Sequence, residues 1–274
     1  MDKQYFGWSL RERDPDTIKQ LMPFWEFLYK YYFRVETSGW ENIPPGQVLL
    51  VGSHNGGLAA PDMVMMMYDW FRRYGTERLV YGLMHPNAWG AYQGLTSLAA
   101  KTGAIRANPN MAIKAIESGA SVLVYPGGAE DVFRPYQERD KIKFVGRKGF
   151  IKLALRYSLP IIPLIAKGAH ETIFVIADLY QEIKELHQQG LFPWILDIDP
   201  QIFPLYLGLP WGLAFGPLPN IPLPVPMTTR VCSPIYFEHS GIEASNDRNY
   251  VTECYELVVN AMQKELDILY KNEG

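Results

Sequence analysis

The order of hydrophobic and polar positions from residue 47 onward alternates between short apolar runs and longer segments with apolar residues three and four apart. The short runs are typical of strands and the three-and-four spacing of amphipathic helices. The pattern predicts strands at 47–52, 79–83, 120–125, 160–166 and 228–232, and helices at 61–74, 91–101, 109–118, 147–157 and 246–271. The runs at 121–125 and 161–165 are almost continuously apolar, as in parallel strands covered on both faces. We therefore expect an α/β fold with a mixed, mostly parallel sheet flanked by helices.

The segment before the first predicted strand is rich in aromatic residues. Residues 15–33 carry apolar side chains at mixed three-and-four spacing, and a cluster of turn-forming residues at 39–46 ends the segment. We predict an N-terminal arm of amphipathic helices at 1–38, followed by an α/β domain at 39–274 that ends in a long C-terminal helix. The arm either packs on the core or lies on a membrane.

The stretch between Asp199 and Arg230 contains no charged side chain, but eight prolines and three glycines interrupt it. A membrane-spanning helix needs about 20 apolar residues without repeated breakers, so this stretch is not expected to span a bilayer. We expect an apolar loop that contacts a membrane or an acyl chain, with packing on the core as the alternative. The side chains proposed for the membrane or acyl-chain contact are Tyr206, Leu207, Leu209 and Trp211.

Composition narrows the classes of function. The net charge is −3 and charged residues make up 20% of the chain, which argues against a nucleic-acid-binding protein with a basic face. Aromatic residues make up 14%, a share that fits either a surface that meets lipid or a large aromatic core. Cys232 and Cys254 have neither metal-ligand spacing nor a disulfide framework, and residues 1–6 lack the apolar core of a signal peptide. We therefore expect a cytoplasmic protein without a metal site.

The strongest candidate for catalysis is His54, which follows the predicted strand at 47–52 on a glycine-rich turn. Pro61 then opens the next helix and places Asp62 in its first turn. An imidazole can take a proton from a hydroxyl, while a carboxylate behind it fixes the tautomer and stabilises the imidazolium. The alternative is that His54 satisfies a strand end and Asp62 favours the positive end of a helix.

Three further blocks follow this pair along the chain. They are Thr102-Gly103-Ala104-Ile105-Arg106, the run at 125–134 that contains Pro126-Gly127-Gly128, and Leu159-Pro160-Ile161-Ile162-Pro163. Together with His54 and Asp62 they resemble, over roughly residues 38–235, the four motif blocks of the lysophospholipid/glycerol acyltransferase superfamily. The glycine-glycine form of the third block is similar to the diacylglycerol-acyltransferase-2-like branch.

The resemblance implies a glycerol-3-phosphate acyltransferase-like fold and an O-acyltransferase activity. A fatty acyl group would move from an acyl thioester, either acyl-CoA or acyl-carrier protein, to the hydroxyl of a glycerolipid or other lipid alcohol. His54 would be the general base and Asp62 its partner, with no cofactor besides the thioester substrate. The implied substrate-binding residues are Arg106, Gly127, Gly128, Glu130, Asp131 and Arg134. Because prolines interrupt the charge-free stretch, we expect the protein to bind the inner face of a membrane peripherally.

The chain departs from the family pattern in two places. Seven residues lie between His54 and Asp62, where the commonest first block has four, so the turn must fold back to bring the pair together. In the third block the common Pro-Glu-Gly becomes Pro126-Gly127-Gly128, which removes a glutamate tied to glycerol-phosphate binding and favours a neutral acceptor. Glu130 and Asp131 are the candidates for the missing acid, and the branch pattern favours Asp131.

A basic stretch follows the third block. Its proposed members are Arg139, Lys141, Arg147 and Lys148, which would meet the phosphates of the donor or anionic lipid heads. Because acidic residues are interleaved with them, a solvated loop is the alternative. For His170, after the strand at 160–166, we expect a structural role because His54 already fills the role of base.

Two other classes of protein are the alternatives to an acyltransferase. A serine hydrolase is disfavoured because the chain lacks Gly-x-Ser-x-Gly, and no dinucleotide, P-loop or metal-ligand motif is present. The non-enzymatic alternative is a catalytically inactive lipid-binding or scaffold protein on the same fold, which the unusual His54 to Asp62 spacing keeps open.

Overall fold

The computed structural model describes residues 7–91, 93–194 and 199–271. Within these ranges the strands are Glu36–Ser38 (β1), Leu49–Gly52 (β2), Val80–Met84 (β3), Ala104–Arg106 (β4), Ser121–Val124 (β5), Ile161–Lys167 (β6), Phe174–Asp178 (β7), Pro204–Gly208 (β8), Gly212–Phe215 (β9) and Thr228–Val231 (β10). The α-helices are Pro15–Phe27 (α1), Pro61–Tyr74 (α2), Ala88–Ala91 (α3), Gln93–Lys101 (α4), Pro109–Glu117 (α5), Gly128–Val132 (α6), Gly149–Arg156 (α7), Tyr180–Gln188 (α8), Ile242–Asn246 (α9) and Arg248–Lys271 (α10).

The larger sheet is mixed and mostly parallel, which confirms the predicted fold class. Its strand order is β1-β10-β6-β2-β5-β3-β4. Among its described pairings, β10 with β6 is antiparallel and the others are parallel. The carboxyl ends of β6, β2, β5, β3 and β4 therefore lie at one edge, where open α/β sheets bind their ligands.

Alternate side chains of the central strands enter two apolar cores, one on each face of the sheet. Leu49 and Val51 of β2 pack in the core that includes α5, α7 and α10. Leu50 points the other way, into the core that includes α1 and α2. Because both faces are covered, all four residues of β2 are buried, which explains the continuous apolar run in the sequence.

The N-terminal arm packs against the second of these cores. Trp25 of α1, Tyr29 in the π-helical turn that follows, and Phe33 are all buried there. β1 then pairs in parallel with β10 and so joins the larger sheet. These contacts support the core-packing alternative for the arm, while a separate domain boundary at residue 38 stays a prediction.

The charge-free stretch forms two strands in its first half, where the prediction of a loop was wrong, while residues 216–227 lie outside helices and strands. β8 and β9 make an antiparallel hairpin that pairs with β7 in a three-stranded sheet. The prolines are compatible with this because Pro204 is the first residue of β8 and Pro210 lies in the connection between β8 and β9, where no ladder hydrogen bond is needed. Within the described chain, no helix is long and apolar enough to cross a membrane.

Candidate active site

His54 and Asp62 lie together at the carboxyl end of β2. The loop between β2 and α2 folds back on itself, with Gly56 at φ +84° and Ala60 at φ +44°. A Cβ on Gly56 would lie 2.5 Å from Cδ of Pro61, so only glycine fits this return. The His54 Nδ1 atom is 3.4 Å from each carboxylate oxygen of Asp62. The longer spacing in the sequence is thus compatible with a side-chain contact.

Asp62 is enclosed at the start of α2, where its side chain is 3% exposed. Its Oδ2 accepts the backbone N–H of Asn55 at 2.9 Å, whereas its Oδ1 has no hydrogen-bond partner among the described residues. Within the same part of the chain, Asp62 forms its ion-pair contact with His54. A buried carboxylate in this position can orient the ring and stabilise positive charge on it.

Tyr125 packs on the imidazole from the neighbouring strand. It follows β5, and the ring centroids of His54 and Tyr125 are 4.5 Å apart with 33° between the planes. A Cβ on Gly52 would lie 2.2 Å from the Tyr125 ring, so that glycine makes room for it. Burial, followed by the charges of Asp62 and Asp131, holds the pKa of Tyr125 well above its usual value and keeps the phenol neutral. Tyr125 is not among the site residues expected from the sequence, where the signal for it is its position directly after the strand that pairs with β2.

Asp131 and Arg134 are buried under the His54 loop. Their side chains are 0% and 1% exposed and pair at 3.0 Å. Burial raises the pKa of Asp131, while Arg134 and the hydrogen bond from the His54 N–H act in the opposite direction. Both side chains are enclosed and bonded to protein groups, and the expected substrate contact of these two residues stays a prediction.

The Gly127–Gly128 turn joins β5 to α6. A Cβ on Gly127 would lie 2.3 Å from Cβ of Asp131, and Gly128 has φ +56°. The Gly128 N–H donates to the carbonyl of Tyr125 at 3.2 Å. Glu130 in α6 is held by Arg147, whose Nη2 lies 2.7 and 2.9 Å from the two carboxylate oxygens. A contact of this turn with substrate stays a prediction.

Arg106 ends β4 at the far edge of the larger sheet. Its guanidinium lies 5.2 Å from the ring centroid of Trp8 and 5.5 Å from that of Trp89. Three strand spacings separate β4 from β2, about 14 Å at the usual distance between strands. The structure therefore places Arg106 on the same edge as His54 but does not bring the two strands together.

Much of the basic stretch is paired within the protein. Arg139 lies 3.5 Å from Glu171, and Lys148 donates to the Thr252 hydroxyl at 2.7 Å. Lys141 is largely exposed beside Asp140, at 3.8 Å. Since Arg147 is also bound to Glu130, the charge of this stretch is largely balanced, as in the solvated-loop alternative. Binding of phosphates here stays a prediction.

His170 follows β6 and is 1% exposed. Burial, together with the charge of Arg134, lowers its pKa to about 3. The folded protein then holds His170 neutral, whereas the unfolded chain binds a proton below the ordinary histidine pKa of about 6.5. The neutral His170 therefore contributes to the free energy of unfolding above about pH 6.5. This contribution is lost as the pH falls towards 3, by up to about 1.4 kcal/mol per pH unit.

His170→Phe removes this titration. We expect the free energy of unfolding, measured in urea between pH 7 and pH 4, to fall less steeply with acidification than in the wild type. His239→Gln changes an exposed histidine and serves as the control, with a wild-type slope. Parallel slopes for His170→Phe and wild type would show that His170 does not cause the acid sensitivity.

Among the described residues, no group of three or more His, Cys, Asp or Glu side chains is placed to hold a metal ion. Cys232 and Cys254 are both buried and free. The chemistry at this edge that the structure describes is that of an imidazole, a carboxylate and their hydrogen-bonded supports.

The fold and this edge define an α/β protein with a histidine–carboxylate pair at the carboxyl edge of a mostly parallel sheet. The structure is similar to that of the 1-acyl-sn-glycerophosphate acyltransferase PlsC from Thermotoga maritima, with a TM-score of 0.53 over 92% of this chain and 79% of that one. Since the two chains are 14% identical, this likeness concerns the fold alone. The sequence model of the diacylglycerol acyltransferase family matches residues 21–262, and the chain belongs to that family.

Its similar relatives include proteins of mycobacteria. An uncharacterised protein of Mycobacterium tuberculosis is 30% identical over 200 residues, which cover 71% of this chain and 54% of the relative. An uncharacterised protein of Mycobacterium leprae is 25% identical over 246 residues, or 90% of this chain and 63% of the relative. The chain thus spans little more than half the length of the curated relatives it matches.

Proposed function

We propose that this chain transfers a fatty acyl group from an acyl thioester to the hydroxyl of a lipid alcohol. Family membership and fold support an acyltransferase. The observation that carries the proposal is the His54 to Asp62 contact at the carboxyl edge of the sheet, with 3.4 Å between Nδ1 and each carboxylate oxygen. This arrangement supplies a base and its orienting acid where α/β sheets bind ligands.

In the proposed reaction, His54 takes the proton of the acceptor hydroxyl. With Nδ1 turned towards Asp62, the opposite nitrogen, Nε2, faces the hydroxyl. The hydroxyl oxygen attacks the thioester carbonyl, the carbon–sulfur bond breaks, and the thiolate leaves with the proton that His54 had accepted. Asp62 stabilises the imidazolium while that proton is held. The products are an ester and a free thiol.

The pairing of charges favours a neutral acceptor. A phosphate on the acceptor would require an available cation near His54, and arginine is well suited to bind one. Arg134 is buried against Asp131, and Arg147 is bound to Glu130 by two short contacts. These cations are already engaged, so we propose a glycerolipid without a phosphate, such as a diacylglycerol, as acceptor. Donor binding by Lys141, the largely exposed lysine of the basic stretch, and by Arg106 belongs to the same proposal.

Contact with a membrane is proposed for the outer face of the three-stranded sheet. Val175, Tyr206 and Ala214 on its inner face pack on Phe133 in a small core. Tyr206 is 0% exposed, so it is a core residue and not a lipid contact. The exposed apolar side chains of this sheet and its connecting turn are Phe174, Leu207, Leu209, Trp211, Leu213 and Phe215. Phe174, Leu207 and Leu213 are partners across the three strands, so they form a continuous apolar surface.

Replacing Leu207, Leu209 and Trp211 together with serine tests this contact. We expect binding to vesicles of phosphatidylcholine and phosphatidylglycerol to fall about tenfold or more, because each residue removed contributes about 1 kcal/mol or more of apolar burial. Activity on bilayer substrate should fall with it, while activity on a short-chain soluble substrate is retained. The control replaces Ile242 and Leu257, exposed apolar residues of α9 and α10, with serine. Unchanged vesicle binding by the triple variant would refute the membrane contact.

The proposed activity is tested with labelled acyl-CoA and a panel of lipid alcohols. Purified protein is incubated with palmitoyl-CoA and monoacylglycerol, diacylglycerol or lysophosphatidic acid, and the ester products are identified by mass spectrometry. We expect a new ester with a neutral acceptor. Binding of donor and lipid without turnover would support the scaffold alternative instead.

A further inference from the structure

The main chain of His54 is held from both sides by one buried ion pair. Its N–H donates to Oδ2 of Asp131 at 2.5 Å, and its carbonyl accepts from Nη1 of Arg134 at 2.8 Å. Asp131 and Arg134 pair with each other at 3.0 Å and are at most 1% exposed. Such enclosed side chains are placed to fix the peptide that they contact.

The same pair reaches the residues on either side of His54. The Ser53 hydroxyl donates to Oδ2 of Asp131 at 3.1 Å, and Nη2 of Arg134 donates to Oδ1 of Asn55 at 2.5 Å. The Asn55 N–H in turn donates to Asp62 at 2.9 Å. One ion pair is thus connected through short hydrogen bonds to both members of the proposed dyad.

Arg134 has little capacity left for a ligand. Besides its bonds to His54, Asn55 and Asp131, its Nε donates to the carbonyl of Glu138 and its Nη2 to that of Arg139, both at 3.0 Å. A guanidinium has five N–H groups, and these acceptors engage all three of its nitrogens. Contacts inside the protein therefore explain why an arginine occupies position 134 in the third motif block.

We propose that Asp131 and Arg134 are positioning residues, which fix the peptide of His54 and thereby the place of its imidazole. The proposal rests on the proposed role of His54 as base. A buried ion pair adds little net stability because desolvation offsets the attraction, so a geometric role accounts better for this one. A base must be placed within about 1 Å of its working position, since such a displacement lowers turnover about 100-fold.

The first test measures amide hydrogen exchange at His54 in the full chain, without substrate. In Asp131→Asn we expect exchange of the His54 N–H to quicken about tenfold or more, since a weaker acceptor replaces the carboxylate. Asp69→Asn is the matched control. Asp69 is also buried and is paired with an arginine three residues later, Arg72, but lies further along α2. Unchanged exchange in Asp131→Asn, or equal acceleration in both variants, would overturn the proposal.

The second test measures acyl transfer from palmitoyl-CoA to diacylglycerol. We expect Asp131→Asn to lower kcat about 10- to 100-fold with KM within about twofold, and to cause no further loss in a His54→Ala background. Arg134→Lys keeps the charge but not the planar fork, so it should lose as much activity as Arg134→Gln. A raised KM at unchanged kcat, or an added loss in the His54→Ala background, would indicate a substrate contact instead.

Failure of the proposed function and failure of the positioning role give different results in these tests. If wild-type protein transfers no acyl group, the proposed function fails, while the exchange at His54 still decides whether the pair holds the loop. If Asp131→Asn does not fold, the double variant Asp131→Asn/Arg134→Gln, which replaces both buried charges by amides, is measured in the same two ways. Wild-type exchange and wild-type kcat in that double variant would overturn the proposal.

Discussion

His54→Ala should lower acyl transfer by at least about 100-fold while the fold is retained. A positioned general base contributes about 10²- to 10⁴-fold to such a reaction, and the variant removes the base without touching the hydrogen bonds of its main chain. Those bonds, to Asp131 and Arg134, involve the N–H and carbonyl of residue 54 and are available to alanine. The kcat of the purified variant, with the diacylglycerol and palmitoyl-CoA assay, measures the effect.

The control for this variant is His239→Ala, which removes an exposed histidine outside the site. Circular dichroism and urea unfolding establish that both variants fold as the wild type does. Transfer by His54→Ala within a few-fold of the wild type would remove His54 from the proposed mechanism.

Asp62→Asn should lower turnover about 10²- to 10⁴-fold with little change in KM for the acceptor. The carboxamide keeps the size of the side chain but loses the charge that stabilises the imidazolium. Its NH₂ group can also donate to Nδ1 of His54, which would leave the proton on Nε2 and hold the ring in the tautomer that cannot act as base. Steady-state kcat and KM for donor and acceptor separate the two contributions.

Asp69→Asn, on the same helix but bound to Arg72, is the control for Asp62→Asn. Unchanged turnover in Asp62→Asn would mean that another group orients His54. The side chain of Asp131 is not placed for this role, because it accepts the backbone N–H of His54.

The helices and strands at the centre of the larger sheet could be predicted from the order of hydrophobic and polar residues, because that order follows which of their side chains are buried. Helix 61–74 was expected at the bounds that α2 has, and the continuous apolar run of β2 reflects its two covered faces. The second sheet could not be predicted in this way. Its strands are interrupted by prolines, and the alternation of buried Tyr206 with exposed Leu207 is short. β4 is three residues long and carries no period of its own.

The sequence indicates which residues belong to the candidate site, but not how they are arranged. His54 and Asp62 were identified from a strand, a glycine-rich turn and a helix start, but their contact depends on the path of the loop at 55–60. Arginine is usually exposed, so the pattern gave no indication that Arg134 turns inward to hold the His54 peptide. The inward position of Arg134 depends on its ion pair with Asp131, and the tertiary structure places both residues beneath the loop that carries His54.

The most direct test of the account is the stoichiometry of thiol release and ester formation by the wild-type protein. Palmitoyl-CoA is supplied with and without diacylglycerol, free thiol is titrated, and the labelled ester is counted in the same samples. The account predicts one thiol released for each ester formed, release that depends on the acceptor, and loss of both signals in His54→Ala. Thiol release without an acceptor at the same rate would indicate a hydrolase, and neither thiol nor ester with any lipid alcohol would contradict the proposed acyl transfer.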